Sequence, residues 1–185
     1  MKQILFINAC VRQNSRTKRL AQSVLKARNG TITEINLEKE NIQPLNHLLL
    51  RAREDGIQSG DFSPPDFRYA KQFANADELV IAAPYWDLSF PAILKIYLEA
   101  VTVNNITFRY TDRGAPMGLC RATKLTYVTT AGGTIGDNNL GFEYVKALAQ
   151  NLFGISETVC LKAENLDIQG NDPEKILKQV EKTII

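Results

Sequence analysis

Residues 79–83, Leu-Val-Ile-Ala-Ala, form an unbroken apolar run that stops at Pro84. An amphipathic strand alternates, so a continuous run of this length reads as a strand buried on both faces, which is the mark of a central strand in a parallel sheet. Four further segments have strand character: Ile4–Ile7, Thr31–Leu37, Leu125–Thr130 and Thr158–Leu161. Helical periods lie between them. Leu20, Ala21, Val24 and Leu25 share one face, as do Ile93, Leu94, Tyr97, Leu98 and Val101. Tyr144, Val145, Leu148 and Leu152 form another stripe, closed by Gly154 as a C-terminal stop. The last helix opens with Asp172 as N-cap and Pro173 in its first turn, and buries Ile176, Leu177 and Val180. The stretch 45–74 predicts a helix near 46–54, a loop at 56–65 and a helix near 66–75.

Strands alternating with helices predict a doubly wound α/β sandwich with helices on both faces. Ligands of such sheets sit outside the carboxyl ends of the strands. At 185 residues the chain is expected to be one domain, residues 1–185. The formal charge of +2, from 22 basic and 20 acidic residues, leaves no electrostatic footprint for nucleic acid or an anionic membrane. No apolar stretch approaches the length of a membrane span. The three cysteines, Cys10, Cys120 and Cys160, have no metal-ligand spacing, and one histidine, His47, is too little for a His-based metal site or triad. A cytoplasmic protein with reduced thiols and no metal is expected.

Three strand ends carry unusual loops. The first, Asn8–Thr17, offers the hydroxyls of Ser15 and Thr17, the guanidiniums of Arg12 and Arg16, and backbone amides at a helix N-terminus. A phosphate monoester wants that mixture of donors. The loop lacks GxxxxGK[ST] and GxGxxG, so it is neither a P-loop nor a dinucleotide fingerprint; an ordinary polar loop with a Ser or Thr cap fits it equally well. The second, Pro84–Pro91, places Tyr85, Trp86, Leu88 and Phe90 after the buried strand. They could border a flat ring, or pack beneath a neighbouring loop or subunit. The third holds Gly132-Gly133, whose amides could approach a ligand closely or simply make a tight turn.

Together these segments resemble the flavodoxin-like quinone reductase and FMN-dependent azoreductase superfamily. The resemblance runs through Cys10-Val-Arg12-Gln-Asn-Ser15-Arg-Thr17, through Pro84-Tyr-Trp-Asp-Leu-Ser-Phe-Pro91 with Ala92-Ile-Leu-Lys95, and through Thr107-Phe-Arg-Tyr-Thr111 with Gly114 and Gly118-Leu119. It continues in Thr129-Thr130-Ala131-Gly132-Gly133 and Phe153-Gly154-Ile155, so it spans the chain in order. It implies a three-layer αβα sandwich around a five-stranded parallel sheet of order 2-1-3-4-5, non-covalent FMN and a homodimer. It implies Cys10, Arg12, Ser15, Arg16 and Thr17 around the ribityl phosphate. Pro84, Tyr85, Trp86, Asp87 and Leu88 would border the ring, and Thr130, Ala131, Gly132 and Gly133 its pyrimidine end. The implied reaction is ping-pong, in which NAD(P)H gives a hydride to the flavin and a quinone or azo compound then takes two electrons.

The chain departs from the family at three places. Cys10 replaces a serine, which weakens one phosphate contact or offers a thiol activated by the helix N-terminus and arginines. Asp87 stands where azoreductases tend to carry asparagine. No Tyr and His pair follows Gly133 to match a quinone-reductase proton relay; Asp137 and Asn138 stand there instead. Two other functions fit the same fold. One is a flavodoxin-like electron carrier, although carriers are usually acidic and the pI here is about 8.4. The other is an α/β module that binds no flavin.

Overall fold

The computed structural model describes residues 1–184. Its main sheet is parallel, with strands β1 (Gln3–Asn8), β2 (Thr31–Asn36), β3 (Glu78–Ala82), β6 (Lys124–Thr130) and β7 (Glu157–Ala163) in the order β2-β1-β3-β6-β7. Counted among the sheet strands alone this is 2-1-3-4-5, the expected topology. Ile7 sits between Ile35 and Ile81 in register, so the apolar centres of the first three strands are stacked side by side.

Strand parity sorts the core into two layers, because successive side chains leave opposite faces. Ile4, Phe6, Val80, Ala82 and Val128 face α1 (Arg16–Lys26) and α6 (Pro173–Glu181), meeting Leu20, Ala21, Val24 and Leu177. Leu5, Ile7, Leu79, Ile81 and Leu125 face the other way. They meet Phe73 of α3 (Arg68–Asn75), Leu94, Tyr97 and Leu98 of α4 (Ala92–Val101), and Val145 of α5 (Leu140–Leu148). Helix α1 starts where Ser15 Oγ accepts from the Lys18 amide, and α6 where Asp172 accepts from the Glu174 and Lys175 amides.

The remaining elements refine the sequence reading. Helix α2 (His47–Ser59) is longer than expected, because Asn46 caps its start and the left-handed Gly60 is the first real stop. Its one fully buried residue is Gly56. A 3₁₀ turn, Pro65–Phe67, leads into α3. The helix expected through Leu152 is α5 followed by a π-helical turn, Ala149–Phe153, that ends at Gly154 in the left-handed region with φ 76°. An unforeseen antiparallel hairpin joins β4 (Phe108–Tyr110) to β5 (Pro116–Gly118). Three-residue strands containing proline and glycine give no periodic signal. The hairpin is fastened where the Gly118 backbone lies on Phe153 and Gly154, so close that a Cβ on Gly118 would overlap their backbone atoms.

At the amino end of the sheet, two carboxylates are met by cations. The Glu78 side chain, 1% exposed, accepts from Lys2 Nζ and Arg28 Nε, each at 2.7 Å. Burial opposes its ionisation, yet these two hydrogen bonds together outweigh burial and hold its pKa below the usual carboxylate range. Beside it, Asp77 accepts from the Gln3 amide at 2.8 Å and from Arg121 at 2.9 Å.

Candidate functional site

Opposite that edge, the carboxyl ends of β1, β3 and β6 converge on one open cleft of about 250 Å³. Its walls include Arg12, Ser15, Arg16 and Thr17 from the β1–α1 loop, and Pro84, Tyr85 and Trp86 from the loop after β3. Thr130, Ala131 and Gly132 come from the end of β6. Three segments spread over more than a hundred residues of sequence thus meet, as expected from the rule that ligands sit outside the carboxyl ends of such sheets.

The loops are tied to one another. Thr17 Oγ1 and Thr130 Oγ1 share a buried hydrogen bond of 2.6 Å, which pins the first turn of α1 to the end of β6. Tyr85 donates its amide to the Thr130 carbonyl at 3.1 Å and its hydroxyl to the Asn138 carbonyl at 3.1 Å. Glu164 Oε1 accepts from the Ile135 and Gly136 amides at 2.7 and 3.0 Å, holding the loop after Gly133. Burial alone would raise the Glu164 pKa, but those amides and Lys162 together keep it low.

What the cleft presents is a set of hydrogen-bond donors. Among the described residues, the amides of Asn14, Arg16 and Thr17 at the start of α1, that of Gly132 in the wall and that of Gly133 beside it donate to no protein acceptor. The Arg12 guanidinium is exposed and sits 6.0 Å from the Trp86 ring centroid. Unsatisfied amides at a helix N-terminus, reinforced by a guanidinium and a hydroxyl, form an anion site. This donor set fits the phosphate of an FMN molecule, and the neighbouring Trp86 and Pro84 give a flat apolar wall for its ring system.

The loop carrying that wall is bent tightly. Trp86 and Ser89 exchange backbone hydrogen bonds of 3.1 and 2.7 Å, and the two residues between them, Asp87 and Leu88, have φ of 50° and 64°. Both positive values make this a type I′ turn, which favours Asn-Gly. Holding Leu88 left-handed costs about 1–2 kcal/mol. Asp87 and Leu88 lie exposed at the tip, outside the cleft wall.

Cys10 is also outside the wall. It continues the alternation of Ile4 and Phe6, so its side chain enters the core facing α1, where the thiol lies 3.7 Å from the Ala82 carbonyl. Burial pushes its pKa up, against the smaller lowering by Ser15 and Lys18, which runs against an activated thiol there. Burial likewise raises Cys120 to about 12 and Cys160 to about 11. Gly133, Asp137 and Asn138 are exposed beside the cleft without lining it.

Four wall residues lie outside the set expected from the sequence, Val11 and Asn14 of the first loop and two from a fourth loop. Leu166 and Asp167, from the loop after β7, close the cleft beside Arg16. Arg16 Nη2 donates to Asp167 Oδ1 at 2.6 Å and Nη1 to the Leu166 carbonyl at 3.3 Å. The strand-end rule covers this loop too, and its Asn165, Gly170 and Asn171 were the available turn signal.

A second cavity of about 300 Å³ lies among α2, α3 and α4, lined by Ile42, Leu49, Phe67, Ile96 and Arg53. It is slightly larger than the cleft, but no glycine lines it and its walls are mostly side chains of α2, α3, α4 and the segment before α2. Among the described residues no cluster of His, Cys, Asp and Glu could hold a metal ion, and no helix is long and apolar enough to cross a membrane.

Comparison with known proteins matches residues 2–184 to a family model described as flavodoxin-like fold. An FMN-dependent NADH:quinone oxidoreductase 2 from Clostridium acetobutylicum is 34% identical over 96% of this chain and 94% of that protein. An FMN-dependent NADH:quinone oxidoreductase from Coprothermobacter proteolyticus is 37% identical over 95% of this chain and 92% of that protein. Among solved structures, an FMN-dependent NADH-azoreductase from Bacillus anthracis in complex with FMN superposes with a TM-score of 0.81. It covers all of this chain and 96% of that one at 21% identity, which speaks to the fold.

Proposed function

The chain belongs to the flavodoxin-like fold family, and on that premise we propose that it is an FMN-dependent NADH oxidoreductase that reduces quinones or azo compounds. The observation that carries this reading is the convergence of unpartnered amides, Arg12 and Ser15 with the Trp86 wall in one cleft. The relatives that share more than a third of their residues over almost their whole length carry the same activity in their names.

The start of α1 holds the cofactor phosphate, with the amides of Arg16 and Thr17 donating and Arg12 supplying positive charge. Ser15 Oγ already accepts from Lys18, which leaves its hydroxyl proton to donate. Pro84, Tyr85 and Trp86 border the ring. The amides of Gly132 and Gly133 would offer hydrogen bonds to its polar edge. When bound, FMN supplies the two-electron chemistry that takes a hydride from NADH and delivers reducing equivalents to the quinone. The protein's part is to position that group and to tune its charge. The Tyr85 to Asn138 hydrogen bond steadies the side of the cleft where Asp137 lies, the nearest carboxyl group on that loop.

The whole chain acts as one catalytic domain, in the cytoplasm, and as a homodimer. Leu45, Leu48 and Leu50 around the start of α2 are exposed, at 37%, 65% and 45%, apolar area that a second copy would cover in part. Three free cysteines fit a reducing compartment.

Purified protein mixed with FMN, then with NADH under anaerobic conditions, tests the function. Bleaching of the flavin absorbance by NADH, and its return on adding benzoquinone, are expected. Flavin binding without reduction by NADH would favour an electron carrier, and no flavin binding at all would end the proposal. Light scattering at micromolar concentration checks the dimer, and a monomeric mass overturns it.

A further inference from the structure

The cleft described above contains an anion of its own. Four cations cluster around the start of α1, and three have carboxylate partners: Arg16 with Asp167, Lys18 with Glu34, and Arg19 with Glu174. Arg12 alone has none among the described residues. Of the three carboxylates, only Asp167 lines the cleft itself. It is held there from several sides. Its amide donates to the Gly132 carbonyl at 2.9 Å, Oδ1 accepts from Arg16, and Oδ2 lies so close to Gly132 that a Cβ on the glycine would overlap it. The missing side chain of Gly132 is the space that admits the carboxylate.

Both terminal nitrogens of Arg16 are thereby bonded to the β7–α6 loop, to Asp167 and to the Leu166 carbonyl. A cation engaged in this way contributes little net charge to the cradle, and the fixed carboxylate repels a dianion arriving beside it. We propose that Asp167 is a specificity-setting residue that holds down the affinity of the cleft for phosphate. The cofactor is then bound through its ring and the helix amides with one effective cation, Arg12, and it exchanges readily. This rests on the flavin reading given above and adds to it a residue that opposes binding.

The chemistry separates the phosphate from the ring, because riboflavin has the same ring and no phosphate. Asp167→Asn keeps the shape of the side chain and removes its charge. In flavin fluorescence titrations, the Kd of Asp167→Asn for FMN is expected to fall about fivefold at low salt, since one screened charge near a dianion is removed. The Kd for riboflavin should not move, and the FMN affinity of the variant should decline more steeply with added salt. Equal changes for the two ligands, or an unchanged or weaker FMN affinity, would overturn the proposal. Inorganic phosphate provides an independent arm: it should raise the Tm of flavin-free Asp167→Asn more than that of the unaltered protein, and an equal rise would also overturn it. Unaltered protein that binds neither flavin defeats the functional reading instead, while the phosphate arm still decides the role of Asp167. Asp167→Ala repeats the measurement should the amide variant not fold.

Discussion

The two edges of the sheet are built on opposite principles. At the amino edge the carboxylates are partnered: buried Glu78 meets Lys2 and Arg28, and Asp77 meets Arg121 and the Gln3 amide. At the carboxyl edge, amides are left without acceptors, Leu88 is held in the left-handed region, and one arginine is shared between a cradle and an aspartate. The first edge is spent on stability. The second keeps its polar groups available for a ligand at some cost in stability, the pattern expected where strain and unmet hydrogen bonds serve binding.

Substitutions can break that contrast. Glu78→Ala should have the largest effect, a loss of about 3–5 kcal/mol in urea unfolding, because it removes two charge-assisted hydrogen bonds, from Lys2 and Arg28, at once. The flavin affinity of the folded protein should be unchanged. If it falls, the two edges are not independent. Acid unfolding makes the same point. Because the folded-state pKa of Glu78 is lowered, its contribution is complete above the ordinary carboxylate range and is lost as pH falls through the lowered value. Glu78→Gln should lack that portion of the acid decline, and an identical pH profile would remove Glu78 from the account.

Next in size is Gly118→Ala, where a Cβ would overlap the backbone of Phe153 and Gly154. A cost of about 3 kcal/mol by thermal or urea unfolding is expected from such overpacking. Thr17→Val then removes the buried hydroxyl pair and leaves Thr130 unpartnered, for about 1–2 kcal/mol in the same measurement, with weaker FMN binding because the first turn of α1 loosens. The smallest effect has the opposite sign. Leu88→Gly should stabilise the fold by up to about 1 kcal/mol, since it relieves the left-handed conformation of a residue that is 52% exposed. A loss of stability there would mean that Leu88 packs on something that the isolated chain does not contain.

Much of this architecture could be read from residue patterns. The buried run at 79–83 predicted β3 within one residue, and Asp172-Pro173 marked the start of α6. Legibility failed where the determinants are not periodic. The β4–β5 hairpin exists because Gly118 can touch Gly154, a contact between residues thirty-six positions apart that neither glycine announces alone. For Cys10 the pattern was available: its parity with Ile4 and Phe6 sends the thiol into the core and not toward the cleft. Asp167 lies in a loop whose turn residues are legible, but its importance comes from Arg16, 151 positions earlier.

The seating of Gly118 on Gly154 also bears on how such a protein can diversify. The hairpin is secured at its base by backbone contact, while Tyr110 and Met117 on its strands are exposed. Its sequence can therefore drift, lengthen or be exchanged like an interchangeable fitting, provided the two glycines remain. The rim of the molecule is free to vary without disturbing the strand ends that form the cleft.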